Sequence, residues 1–264
     1  MYAIVLLLLV PAAMWLSQTV LLVKAGLPVR ARINPIDLPR HLKRYNRMVT
    51  YLTFLAVLVA YPLTRGQWPW AYYVSYFPLG RRPWELAHGA AAAMLYLSLL
   101  YVAWIASGNV LFRVRHERRR LIKRLAGVPL TALMVALLEE LLFRTVLLAD
   151  LLRSLDPAVA VAVGAAIFAG AHYVRSVKRY WTIAGHVVLG VLLCLAFVYT
   201  RALWLPVGLH AAGVVLLLGT RPFIRYQGPP WLIGASVFPY AGAVGVAALI
   251  LLTVNVYMIY GGPR

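Results

Sequence analysis

Eight long apolar runs divide the chain, at residues 3–23, 48–63, 86–107, 128–149, 157–174, 181–199, 202–219 and 231–260, and short polar or basic connections separate them. Runs of this length predict helices, and about 20 consecutive apolar residues suffice to cross the hydrocarbon of a bilayer. The second run is short and the last is long. Pro239 divides the last, so 231–238 is expected to lead in along the interface before the span proper. The first run follows only Met1 and Tyr2 and lacks the positive flank of a secretory signal, so it is expected to be a retained helix that inserts with its N-terminus outside. The fold class is therefore an all-α polytopic membrane protein of about eight transmembrane helices. No internal repeat is visible.

Composition sharpens this picture. Only 12% of the 264 residues are charged and 63% are hydrophobic, with mean hydropathy +0.80, whereas soluble domains carry about 25% charged residues. A soluble globular protein is ruled out. The formal charge of +19 would suggest nucleic acid in a soluble protein, but here the cations sit in short loops between apolar runs. They read as topology determinants facing anionic head groups, with no nucleic-acid partner. Cys194 is the single cysteine and lies inside an apolar run, which excludes an intrachain disulfide or a cysteine-based metal cluster.

Orientation follows from the loops. Loop one holds seven Lys and Arg (24–47), loop three seven (113–124), loop five three (Arg175, Lys178, Arg179) and loop seven two (Arg221, Arg225), while the even loops hold five in total. The odd loops are thereby expected in the cytoplasm and both termini outside. The aromatic residues Trp68, Trp70, Tyr72, Tyr73, Tyr76 and Trp84 crowd loop two as an interfacial belt would.

Few polar groups lie inside the runs, and a charge there costs about 3 kcal/mol on insertion scales, which marks it as functional by default. The fourth run holds Glu139, Glu140 and Arg144, the fifth His172, the sixth His186 and the seventh His210. Glu140 and Arg144 are four apart, carboxylate first, the favourable order for a pair on one helix face. Glu139 points about 100° away, so its charge must be met from another helix or by a proton, which is the setting a general base needs. The same triad would also serve to fix helix register. His186, without a companion signal, is read as a packing residue.

At this point the residues carry a resemblance. Glu139-Glu140-Leu141-Leu142-Phe143-Arg144 resembles the EExxxR motif of the CAAX protease and bacteriocin-processing (CPBP) family of intramembrane glutamic endopeptidases, which includes CAAX prenyl protease-like and lysostaphin resistance protein A-like members. Phe168-Ala169-Gly170-Ala171-His172 resembles its FxxxH motif, and the approach from Leu189 to His210 resembles that to its final histidine. The likeness runs over about residues 128–217, which divides the chain into an N-terminal membrane region 1–127, a catalytic region 128–219 and a C-terminal helix 220–264. It implies an endopeptidase of a bacterial or archaeal plasma membrane, acting on a membrane-associated peptide or protein such as a prenylated C-terminal peptide, a bacteriocin-like peptide or an anchored sorting tail.

By that resemblance Glu139 activates water, Glu140 and Arg144 are its motif partners, and His172 and His210 belong to the same site, His210 as candidate oxyanion donor. No cofactor is expected; zinc on Glu139, His172 and His210 is the alternative. The chain has Val214 where the family often has Asn or Asp. His210 must then be oriented from another helix, for which His186 and Tyr199 are the nearest sequence candidates, or else be poorly oriented. Counted from the helix ends, Glu139 lies about 17 Å deep, His210 about 13 Å and His172 about 3 Å. They meet only if the fifth helix continues past Tyr173, with Arg175 and Lys178 snorkelling. Rival readings are a proton-coupled transporter and an inactive relative acting as a membrane-protein chaperone or immunity factor.

The loop charges make a direct prediction. Cysteines introduced near Arg118 and near Arg81 should label from opposite sides of the membrane; labelling from one side would break the eight-helix scheme.

Overall fold

A computed structural model describes residues 2–31, 33, 38–80, 82–114, 117–174, 180–235 and 238–262. Every apolar run becomes helix. In chain order these are α1 (Tyr2–Lys24), α2 (Arg40–Thr64), the short α3 (Pro69–Val74) and α4 (Trp84–Ala106), then strand β1 (Val110–Phe112), α5 (Arg118–Ala126) and α6 (Val128–Glu140). Next come α7 (Ala149–Leu151), α8 (Pro157–Ala171), α9 (Ile183–Thr200), α10 (Trp204–Thr220), β2 (Ile224–Tyr226), α11 (Pro230–Ile233) and α12 (Ala243–Tyr260). α6 runs into α7 without a break through a π-helical stretch, Leu141–Leu148. Among the described residues five helices, α1, α2, α4, α9 and α12, are individually long and apolar enough to cross a membrane; α8 and α10 are shorter apolar helices. The protein is an all-α integral membrane protein, with one two-stranded antiparallel ribbon pairing Val110 with Tyr226.

Three differences from the sequence expectation have simple causes. α2 begins at Arg40 rather than near 48, because its first turns are basic and an apolar count misses them. The last run breaks at the expected proline: α11 is a single turn, Pro239–Ala241 is a 3-10 turn, and the span proper starts at Ala243. The fifth helix does not continue past Tyr173. It stops at Ala171, with His172 as its C-cap. Its 15 residues reach only about 22 Å, less than the roughly 30 Å of hydrocarbon. The loop cations Arg32, Arg81, Arg115, Arg175, Lys178 and Arg179 lie outside the described residues.

The centre of the molecule is the crossing of α4 with α10; α6 packs on α10, α9 lies between α8 and α12, and α1 pairs with α2. Lipid gives no hydrophobic drive to helix association, so close backbone approach between small residues must supply it. Glycines make that approach here. A Cβ on Gly89 would stand 2.6 Å from the Leu205 carbonyl oxygen, and one on Gly208 would collide with that of Leu86. At the far end of α7, buried Asp150 accepts from the Ala3 amide at 3.3 Å and from Tyr61 Oη at 3.2 Å, and pairs with Arg65. One carboxylate thus ties the start of α1 and the end of α2 to the helix that carries the glutamates. Asp150 and Glu85 are both 2% exposed; each falls at the edge of an apolar run, where the sequence reading did not count it.

Gly208→Ala should push α10 off α4 and cost about 1–3 kcal/mol, lowering the thermal midpoint in detergent. Gly219→Ala on the same helix, where the added methyl meets nothing within 4 Å, should leave the midpoint unchanged or raise it.

Candidate active site

The glutamates sit where α-helix gives way to π-helix. A π stretch widens the turn and leaves carbonyls out of the i−4 pattern, and such stretches recur at functional sites. Here the Tyr72 hydroxyl, from α3, donates to the Thr145 carbonyl at 2.5 Å, and the Thr145 hydroxyl donates to the Leu141 carbonyl at 2.6 Å. The aromatic loop read from sequence as an interfacial belt therefore also braces the glutamate helix from outside.

Glu140 and Arg144 are both fully buried. Arg144 Nε lies 3.0 Å from Glu140 Oε2, an ion-pair distance reached without the alignment of a hydrogen bond. The guanidinium stacks over Phe168, with Cζ 4.8 Å from the ring centroid, so a cation–π contact from α8 supplements the carboxylate. The other Glu140 oxygen takes a hydrogen bond from His210 Nδ1 at 2.7 Å. A carboxylate only accepts, so Nδ1 carries the proton and Nε2 is turned the other way, 3.7 Å from Glu139 Oε2. The chain of contacts therefore runs Arg144, Glu140, His210, Glu139. The Glu140–Arg144 pair read from helix spacing is present, and Glu139 Oε2 is buried 3.7 Å from His210 Nε2 without a hydrogen-bond partner.

This arrangement corrects the expectation about His210. The group that orients it is Glu140, not His186 or Tyr199. Tyr199 lies against Tyr257 of α12, 5.9 Å between ring centroids. Val214 lines the cavity wall beside His210 and leaves no orienting role unfilled.

His172 reaches the same place by a different route from the one expected. Because α8 ends at Ala171, the ring sits at the helix terminus, and its Nδ1 lies 2.9 Å from the Phe168 carbonyl oxygen. A carbonyl only accepts, so Nδ1 again carries the proton and Nε2 remains an acceptor. Behind it stands His186, 1% exposed, with its ring centroid 4.6 Å from that of His172. His186 Nδ1 donates to the Thr182 carbonyl at 2.9 Å and Nε2 accepts from Tyr240 Oη at 3.1 Å. His186 is a packing residue, as read, but what it packs against is the site. Tyr240 gave no sequence signal beyond its neighbour Pro239.

Glu139, His172 and His210 share the wall of a cavity of about 240 Å³ that Tyr96, Val214 and Tyr240 also line. Glu139 and His172 face a second cavity as well, of about 650 Å³, between α1–α2 and α6–α8. The glutamate with 25% side-chain exposure is Glu139; Glu140 has none. The one open to the cavities is thus the one not paired with Arg144. Among the described residues no three His, Cys, Asp or Glu side chains are grouped to hold a metal ion.

The family model described as "Rce1-like: Type II CAAX prenyl endopeptidase Rce1-like" matches residues 121–216. No curated protein and no solved structure matches the chain. The matched segment contains Glu139, Glu140, Arg144, His172 and His210; Tyr240 and the whole of α1 to α4 lie outside it.

Arg144→Ala should cost about 3–5 kcal/mol, because Glu140 is left as a buried, uncompensated charge, and should appear as loss of folded protein on size exclusion. Arg144→Lys should recover only part of this, since an ammonium cannot stack its plane on Phe168.

Proposed function

We propose, from the premise that residues 121–216 form a segment of the CPBP/CAAX protease family, that this membrane protein is an intramembrane endopeptidase in which Glu139 activates water without a metal. The observation that carries the reading is the contact chain from Arg144 through Glu140 and His210 to an accessible Glu139.

In this mechanism His172 Nε2 accepts from the water and holds it beside Glu139. The Glu139 carboxylate takes a proton from it as the oxygen attacks the scissile carbonyl carbon. The carbonyl electron pair moves to oxygen, and the Nε2 proton of His210, present when Nδ1 and Nε2 are both protonated, faces that oxyanion. One such donor contributes roughly 3 kcal/mol to the transition state. Collapse of the intermediate breaks the C–N bond, and Glu139 returns its proton to the leaving amine. Glu140 keeps His210 in register throughout. The substrate is a membrane-associated peptide or protein, and the cytoplasmic side of the site is the one carrying the loop-one and loop-three cations. The name of the matching family makes a prenylated C-terminal peptide the first to assay.

The test is a cleavage assay on protein in vesicles before and after exhaustive chelation. Wild type should cleave equally in both, and Glu139→Gln should be slower by roughly 10²–10⁴-fold while inserting and eluting like wild type. An undiminished Glu139→Gln removes the assignment of the base. Activity that is lost to chelator and returns with zinc removes the metal-free mechanism.

A further inference from the structure

The larger cavity, which Glu139 and His172 also line, is built for an apolar chain. It follows α1 from Met14 to Ile4, about 15 Å of helix, so it is long rather than round. Its wall is apolar apart from Thr50, the hydroxyl of Tyr51 and the ionisable Arg47, Glu139 and His172. Leu8 (62% exposed) and Tyr51 (55%) line it, as do the exposed Gly170 and Ala171, so it opens sideways onto the surface that faces lipid.

Gly170 is informative. It lies inside α8, where glycine costs about 0.5–1 kcal/mol relative to alanine, and a Cβ there would meet nothing within 4 Å. Gly89, Gly185, Gly190 and Gly208 are each glycine because a neighbouring backbone leaves no room. Gly170, like Gly213 and Gly219 of α10, has no neighbour within 4 Å, and its bare backbone lines the cavity next to His172.

Arg47 marks one end. α2 has 25 residues, about 37 Å, some 7 Å more than the hydrocarbon thickness, and its apolar run begins only at residue 48. Arg47 is exposed, one turn from Lys43 and Arg44, and lies beside Asn46, which bonds Met14 and Ser17 of α1. A long apolar slot with an arginine at one end suits an extended apolar chain that carries an anionic group. We propose that it holds an acyl chain of an anionic glycerophospholipid, with the head group on Arg47 and the chain running past Glu139 and His172. On the peptidase reading above, that lipid occupies one side of the site until substrate displaces it. Its binding is read without any cleavage, so the two proposals fail separately.

The experiment uses the full chain in phosphatidylcholine vesicles doped with a phosphatidylglycerol carrying a diazirine on its acyl chain. After irradiation, adducts should map to residues 135–142 and 167–174. Unlabelled phosphatidylglycerol should suppress them at least 5-fold more effectively than added phosphatidylcholine. Gly170→Leu, which fills free space and favours helix, should lower this labelling at least 5-fold, and Arg47→Glu, at an exposed position, should abolish the head-group preference. Adducts confined to the outer face of α2, around Leu52, Leu55 and Val59, would overturn the proposal. So would equal competition by the two lipids, or Arg47→Glu labelling that matches wild type. Suppression by an uncharged hydrophobic peptide but not by phosphatidylglycerol would overturn it in favour of a substrate segment.

Discussion

The Glu140 carboxylate is fully buried, and the way α6, α8 and α10 meet follows from having to satisfy it. Alone in hydrocarbon it would be untenable; paired with Arg144 on one side and His210 on the other it joins α6 to α10. The arginine in turn lies on Phe168 of α8. Three helices are thereby fixed by one acidic group, and the geometry around it is over-determined. Replacing such a pair by apolar residues often costs nothing in stability. Its retention in this fold is better understood through what it orients, namely the Nε2 edge of His210 and, beside it, the one glutamate left open to the cavity.

The shortness of α8 serves the same end. Non-helical backbone at membrane depth is tolerated where it is buried in protein or lines a cavity, and the last carbonyls of a helix lack intrahelical donors. By stopping at Ala171 the helix offers the Phe168 carbonyl to its own C-cap histidine. A terminus that would be a liability in lipid becomes the fixture that sets the tautomer of His172. The depth mismatch between His172 and Glu139 disappears once this helix is allowed to end early.

Much of this was legible in the sequence, and what was not has identifiable causes. All eight apolar runs were visible because membrane helices are read from unbroken hydropathy, and Glu139, Glu140, Arg144, His172 and His210 stood out because so few polar groups lie inside them. The spacing of Glu140 and Arg144 already implied their pair. Partners on different helices were not legible: nothing in the sequence places His210 against Glu140 across 70 positions, so His186 and Tyr199 were named instead. The basic start of α2 and the buried Asp150 were missed for one reason, since both sit at the margins where a polar residue is ordinarily solvated. The π stretch has no compositional signature at all.

The site also depends on chain beyond the matched segment. Tyr240 comes from the turn before α12, and three glycines hold that turn in place. A Cβ on Gly185 would stand 2.7 Å from the Ala241 Cα, one on Gly245 would stand 2.6 Å from the Pro239 carbonyl oxygen, and Gly234 adopts φ +76°. So seated, the Tyr240 hydroxyl donates to His186, and His186 packs on His172. The smaller cavity is thus walled by a tightly seated segment, whereas the larger one is bounded by α1 and α2 and opens toward lipid. Glu139 and His172 stand between a side held rigid by backbone contacts and a side that can yield to what enters from the bilayer. The proposed peptidase reading uses both, since reacting atoms must be held to a fraction of an ångström while a chain that comes from the bilayer arrives laterally.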